Sequence, residues 1–121
     1  MVKGWLDANG ETHEHVYNVA WSGNRSLDGD GNLAPVGNTV DLSTGAYTNT
    51  IGTAELATVW QDPAFDSAER AFYYVRVLKI PTPRYSLLDA IALEMDPAET
   101  GKPSTIQERA YSSPIWYTPG N

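Results

Sequence analysis

The chain has 121 residues, enough for one domain with a single buried core and no need of a metal or disulfide merely to fold. Its 15 acidic and 8 basic side chains give a net charge of −7, and the dispersed basic residues exclude a nucleic-acid stripe. Cysteine is absent, which removes thiol nucleophiles and thiolate metal sites and leaves the compartment open, with a periplasmic or secreted location favoured over a cytoplasmic one.

No apolar run is long enough for a membrane span, and "VKGWLD" (2–7) has no signal-peptide core, so neither membrane nor nucleic acid is expected as a partner. That stretch and "ETHEHVYNVAW" (11–21) read as a β-hairpin joined at Asn9-Gly10, with both turn residues expected at positive φ. Period-2 alternation places His13, His15, Tyr17, Val19 and Trp21 on one face, which is expected to join the core from Tyr17 onward. Residues 22–38 are dense in Gly, Asn, Asp, Ser and Pro and read as a long loop. Short strands are expected at 39–43, 46–52 and 54–61.

"DPAFDSAERA" (62–71) reads as a turn with at most one helical turn, capped by Asp66 with Glu69 in capping-box position. "RAFYYVRVLKI" (70–80) is aromatic and β-branched on both faces, which predicts a central strand covered twice. Pro81 and Pro83 stop it. "SLLDAIALEM" (86–95) predicts a helix with Ser86 as its cap and Pro97 as its end. A last strand follows over 106–118, interrupted near Ser113-Pro114. The sum is an all-β, immunoglobulin-like antiparallel sandwich of about seven strands over 1–121, with one short helix inside a long 81–105 connection.

Candidate chemistry is sparse. Asp28-x-Asp30-x-Asn32 copies the start of a calcium loop, but Leu33 stands where the turn glycine belongs and Thr39 where the bidentate glutamate belongs. His13-x-His15 puts the only two imidazoles on one strand face, too few ligands for a metal hydrolase, so no metal or other cofactor is expected. There is no nucleophile elbow and no phosphate-cradling glycine loop, so the segment reads as non-catalytic. Most of the 4 Trp, 7 Tyr and 2 Phe are expected in the core. The exceptions are Arg84-Tyr85 and Trp116-Tyr117, which prolines pin at element ends and which are candidates for interdomain or ligand contact.

"DPAFDSAERAFYYVRVLKIPTPRYSLLDA" and "TIQERAYSSPIWYTP" resemble the C-terminal end of the bacterial domain-of-unknown-function family 3604, and "VKGWLDANGETHEHVYNVAWS" and "PVGNTVDLSTGAYTNTIGTAEL" resemble the segments before it. Members of that family are several times longer than this chain. Their upstream portion is similar to metal-dependent phosphoesterases of the polymerase-and-histidinol-phosphatase type, whose ligands map onto nothing here. The resemblance implies a C-terminal fragment, also suggested by a chain that begins inside a strand. Its role would be that of a non-catalytic accessory domain of a metal-dependent hydrolase, partnered by the missing N-terminal catalytic portion or, through an exposed apolar face, by a second copy of itself. The rival expectation is an independent carbohydrate-binding module that uses exposed aromatic rings.

Overall fold

The computed structural model describes residues 1–120. Strands β1 (Val2–Leu6) and β2 (Thr12–Val16) form the opening antiparallel hairpin. Its loop has three residues rather than two: the Asp7 N–H donates to Glu11 O and the Gly10 N–H to Asp7 O, both at 3.0 Å. Gly10 alone takes a positive φ, of 83°, while Asn9 does not, so the Asn-Gly pair closes a longer turn than its dipeptide suggests. The Asp7 carboxylate fixes this loop, Oδ1 accepting from the Asn9 and Glu11 N–H groups at 2.9 Å.

The same device recurs along the chain. Asp28 Oδ1 accepts from the Asp30 and Asn32 N–H groups at 2.9 and 2.8 Å, and Asp41 Oδ1 from the Ser43 N–H at 2.8 Å. Each time a short side chain supplies an acceptor that holds the chain in a turn.

The stretches 39–43, 46–52 and 54–61 are not strands, and for the first two this chemistry gives the reason. The Thr39 hydroxyl donates to Thr48 O at 2.6 Å and accepts from the Thr48 N–H at 3.2 Å, replacing a ladder with side-chain bonds. The segment from 18 to 61 therefore drapes over the strands as turns and extended chain, closed locally by the Leu27–Leu33 bridge. Asp66 likewise caps a turn and no helix, its Oδ1 accepting from the Ala68 N–H at 2.8 Å.

The predicted central strand is present but broken in two, β3 (Arg70–Tyr74) and β4 (Arg76–Leu78), followed by β5 (Thr82–Pro83). Helix α1 (Tyr85–Ala92) and a 3₁₀ turn (Pro97–Thr100) come next, and then β6 (Thr105–Ile106), β7 (Arg109–Tyr111) and β8 (Ile115–Tyr117). β3 pairs with β8, β4 with β7 and β5 with β6, all antiparallel, so 70–83 and 105–117 form one long arm with α1 at its tip. The expected interruption at Ser113-Pro114 is a bulge: between the pairs Tyr73–Ile115 and Arg76–Tyr111, two residues face three. A second bulge compensates, since between Leu78–Arg109 and Thr82–Ile106 three residues face two. Ser112 bridges the first, its N–H donating to Val75 O and its Oγ accepting from the Val75 N–H, both at 3.0 Å.

The main sheet runs β2-β1-β3-β8, and the protein is all-β in class, with antiparallel sheets of eight strands and one α-helix. Register puts Lys3, Trp5, Ala71, Tyr73 and Tyr117 on one face, and Val2, Gly4, Leu6, Phe72, Tyr74 and Trp116 on the other. The first face is covered by 60–67: Trp60 packs on Tyr17 and Tyr73 at 5.0 and 6.2 Å, and Phe65 on Tyr117 at 5.0 Å. The opposite face lies open around Phe72 and Trp116, so the central strand is covered once there and not twice.

Helix α1 turns Leu87 and Ala90 inward and is shorter than expected at its C-terminal end. Its N-cap is Arg84 in extended conformation, not Ser86, whose hydroxyl donates instead to Pro103 O at 3.3 Å from within the first turn. It ends before Pro97. The Met95 N–H returns to Ala90 O and the Glu94 N–H to Ile91 O, which is the Schellman pattern with Glu94 in the left-handed position at φ 54°.

Candidate functional site

Two surfaces can do chemistry or binding. The first is a groove of about 530 Å³ on the open face of the main sheet. Its floor follows from register: Glu14 on β2, Gly4 on β1, Phe72 on β3 and Trp116 on β8 are successive partners across the four strands. Gly4 has no side chain, and the Phe72 ring lies over it where a Cβ would otherwise stand. Trp116 packs against Phe72 with ring centroids 5.2 Å apart and remains 70% exposed. Thr12 and Arg70 stand along one side. No ion pair or side-chain hydrogen bond engages Thr12, Glu14 or Arg70 within the described residues.

The second surface is an open cleft of about 1590 Å³ between the arm and the draped 18–61 segment, and it shares no residue with the groove. Leu56, Val75, Val77 and Leu78 line it and stay exposed, and Val59 nearby is fully exposed.

The residues singled out in the sequence separate in space. Trp116 and Tyr117 are neighbours on β8 and therefore point to opposite faces. Tyr117 belongs to the covered face, its hydroxyl donating to Ser67 O at 3.0 Å, so Trp116 alone of the pair enters the groove. Arg84 and Tyr85 sit at the far end of the arm, about 35 Å of strand from Phe72. There the guanidinium lies 5.4 Å from the Tyr85 ring centroid and Tyr85 is exposed. Phe72, Gly4, Glu14 and Arg70 are groove residues that sequence reasoning missed. The alternation of β3 carried part of the signal, but only pairing shows which strand lies opposite.

The metal candidates are drawn into other work. Asp28 holds its own turn, and the carboxyl lies below the usual carboxylate range, chiefly because the Asn32 N–H donates to it. His13 and His15 do not converge: His13 Nε2 is 3.0 Å from Asp7 Oδ2 and its ring stacks on Trp5 at 5.1 Å, whereas His15 packs on Tyr17 at 4.3 Å. Asp7, Glu11 and His13 do bring ligand atoms within 4.8 Å of one another, but Asp7 Oδ1 is already held by two backbone N–H groups of the hairpin loop.

Beneath the covered face lies a buried polar network. Lys3 Nζ is 2.7 Å from Asp62 Oδ2 and donates to Ala64 O at 2.6 Å, and the Tyr73 hydroxyl donates to Asp62 at 2.8 Å. Burial pushes the Asp62 carboxyl up, but the donors from Lys3, Ala64 and Tyr73 outweigh it and hold the group below the ordinary range. Burial, reinforced by the Asp62 carboxylate, raises the Tyr73 phenol. This network latches the 60–67 segment onto the sheet and opens to neither groove nor cleft.

No helix of the described residues is long and apolar enough to cross a membrane. A search of curated proteins and of solved structures found no match to the chain. A family model does match it, over residues 1–119, with the description "Protein of unknown function (DUF3604)". With nearly its whole length matched, the chain belongs to the DUF3604 family.

Proposed function

We propose that the chain is a non-catalytic, immunoglobulin-like accessory domain of a larger bacterial protein, a metal-dependent hydrolase of phosphoesterase type, and that the catalytic portion packs into the cleft beside the arm. One observation carries the reading. The accessible surface is 8706 Å², against roughly 6400 Å² for a compact monomer of this mass. The excess of about 2300 Å² exceeds what one partner gives up in a standard protein interface, roughly 800 Å². Exposed apolar side chains gather in the cleft at Leu56, Val75, Val77 and Leu78, and apolar surface gathered in this way is characteristic of an interaction site.

Amide hydrogen exchange tests this on the 121-residue chain and on the full gene product that carries it. The expected result is fast exchange at 54–60 in the isolated chain and, in the full protein, at least about tenfold protection there with added protection at 75–80. Equal protection in both, with the isolated chain monomeric and free of hydrophobic dye binding, overturns the reading. A stable homodimer that protects the same segments replaces the catalytic portion with a second copy.

A further inference from the structure

We propose that the groove on the open sheet face is a binding site for a neutral oligosaccharide, with Trp116 and Phe72 as its stacking platform. The proposal is independent of the packing role, because groove and cleft have no residue in common.

The row Glu14, Gly4, Phe72 and Trp116 crosses four strands, about 14 Å at ordinary strand spacing, which suits a short linear chain of pyranose rings. A volume of about 530 Å³ falls within the usual range of small-molecule sites, which are apolar with a few placed polar groups. A pyranose has the matching form: one face presents C–H groups that rest on an aromatic ring, while its rim of hydroxyls needs both donors and acceptors. Gly4 keeps the floor low, and Phe72 folds over it beside Trp116, the two ring planes inclined by 48° so that they offer adjoining apolar facets. Among the other lining side chains, Arg70 offers only donors, Glu14 at the β2 end of the row only acceptors, and Thr12 both.

These three side chains have no hydrogen-bond or ion-pair partners among the described residues, so hydroxyls can reach them without breaking such a bond. The opposite charges of Arg70 and Glu14 and a net charge of −7 select against a polyanion and for a neutral glycan.

Titration calorimetry and tryptophan emission test this with neutral β-1,4-linked gluco-, xylo- and manno-hexasaccharides, with a galacturonate oligomer as the charged comparison. The expected result is saturable binding of at least one neutral hexasaccharide with a change in Trp emission. Trp116→Ala should weaken that binding at least about tenfold, Arg70→Ala and Glu14→Ala about fivefold each, and Trp116→Phe less than Trp116→Ala. Ile115→Ala, on the other face of β8, should leave it unchanged. Thermal melts of each variant establish that it is folded, as substitution of exposed side chains should allow. The proposal is overturned if no neutral glycan binds by about 10 mM, if the galacturonate alone binds, or if folded Trp116→Ala binds like the parent.

Discussion

At the scale of single residues, the most consequential contact is the one between Lys3 and Asp62. Both side chains are nearly removed from solvent, so their attraction acts in a poorly screened interior. Lys3→Met or Asp62→Ala alone should cost about 3–5 kcal/mol in urea unfolding, whereas Lys3→Met combined with Asp62→Leu should recover most of it. The three turn aspartates make a different prediction. The Asp7 carboxyl is lowered by its hydrogen bond to His13 and then by the Glu11 N–H, Asp28 by the Asn32 N–H, and Asp41 by the Ser43 hydroxyl and N–H. A carboxyl lowered in the folded state stabilises above its unfolded value, near 3.9, and that stability is lost as pH falls through the folded value. Asparagine can still hold such a turn but does not titrate, so a triple Asp7→Asn, Asp28→Asn, Asp41→Asn protein should show a flatter fall in Tm between about pH 4 and pH 2.

At the scale of elements, legibility depended on whether the pattern was set by the backbone or by side chains bonding near at hand. The hairpin of β1 and β2, the helix and the strand regions at 70–80 and 106–118 were readable, because alternation and proline placement report directly on extended chain. Residues 39–52 were misread as strands because Thr and Tyr favour the pleat, while Thr39, Asp41 and Ser43 bond locally and take the backbone out of any ladder. The helix end was misread for a related reason. Pro97 looked like the stop, but it opens the following 3₁₀ turn, and the chain reverses earlier at Glu94 without a glycine. A non-glycine residue in the left-handed region is strained, so Glu94→Gly should stabilise the protein by about 0.5–1 kcal/mol, seen as a raised urea midpoint at constant m.

For the whole molecule, the open groove and cleft follow from a shortage of covering elements. Val2, Ala71, Leu87 and Ala90 are the buried apolar side chains among the described residues, a small core for 121 residues. The sequence signalled abundant apolar strand surface without saying what would cover it, because coverage is a property of pairing and layering that no local pattern encodes. That Trp116 and Tyr117 part to opposite faces was implicit in their adjacency, but that the Trp116 side is the bare one was not.

The two opposed bulges of the arm constrain how its length can vary. Each adds one residue to a different strand, so together they leave α1 at the tip in the alignment an unbulged arm would have given it. Loss of one residue around Ser112 to Pro114 would remove the first bulge and leave the second uncompensated, turning every side chain beyond it to the other face. Among relatives, insertions and deletions within this arm should therefore be inherited as matched pairs, one on each strand, while the tip between Arg84 and Ser104 is free to lengthen or shorten.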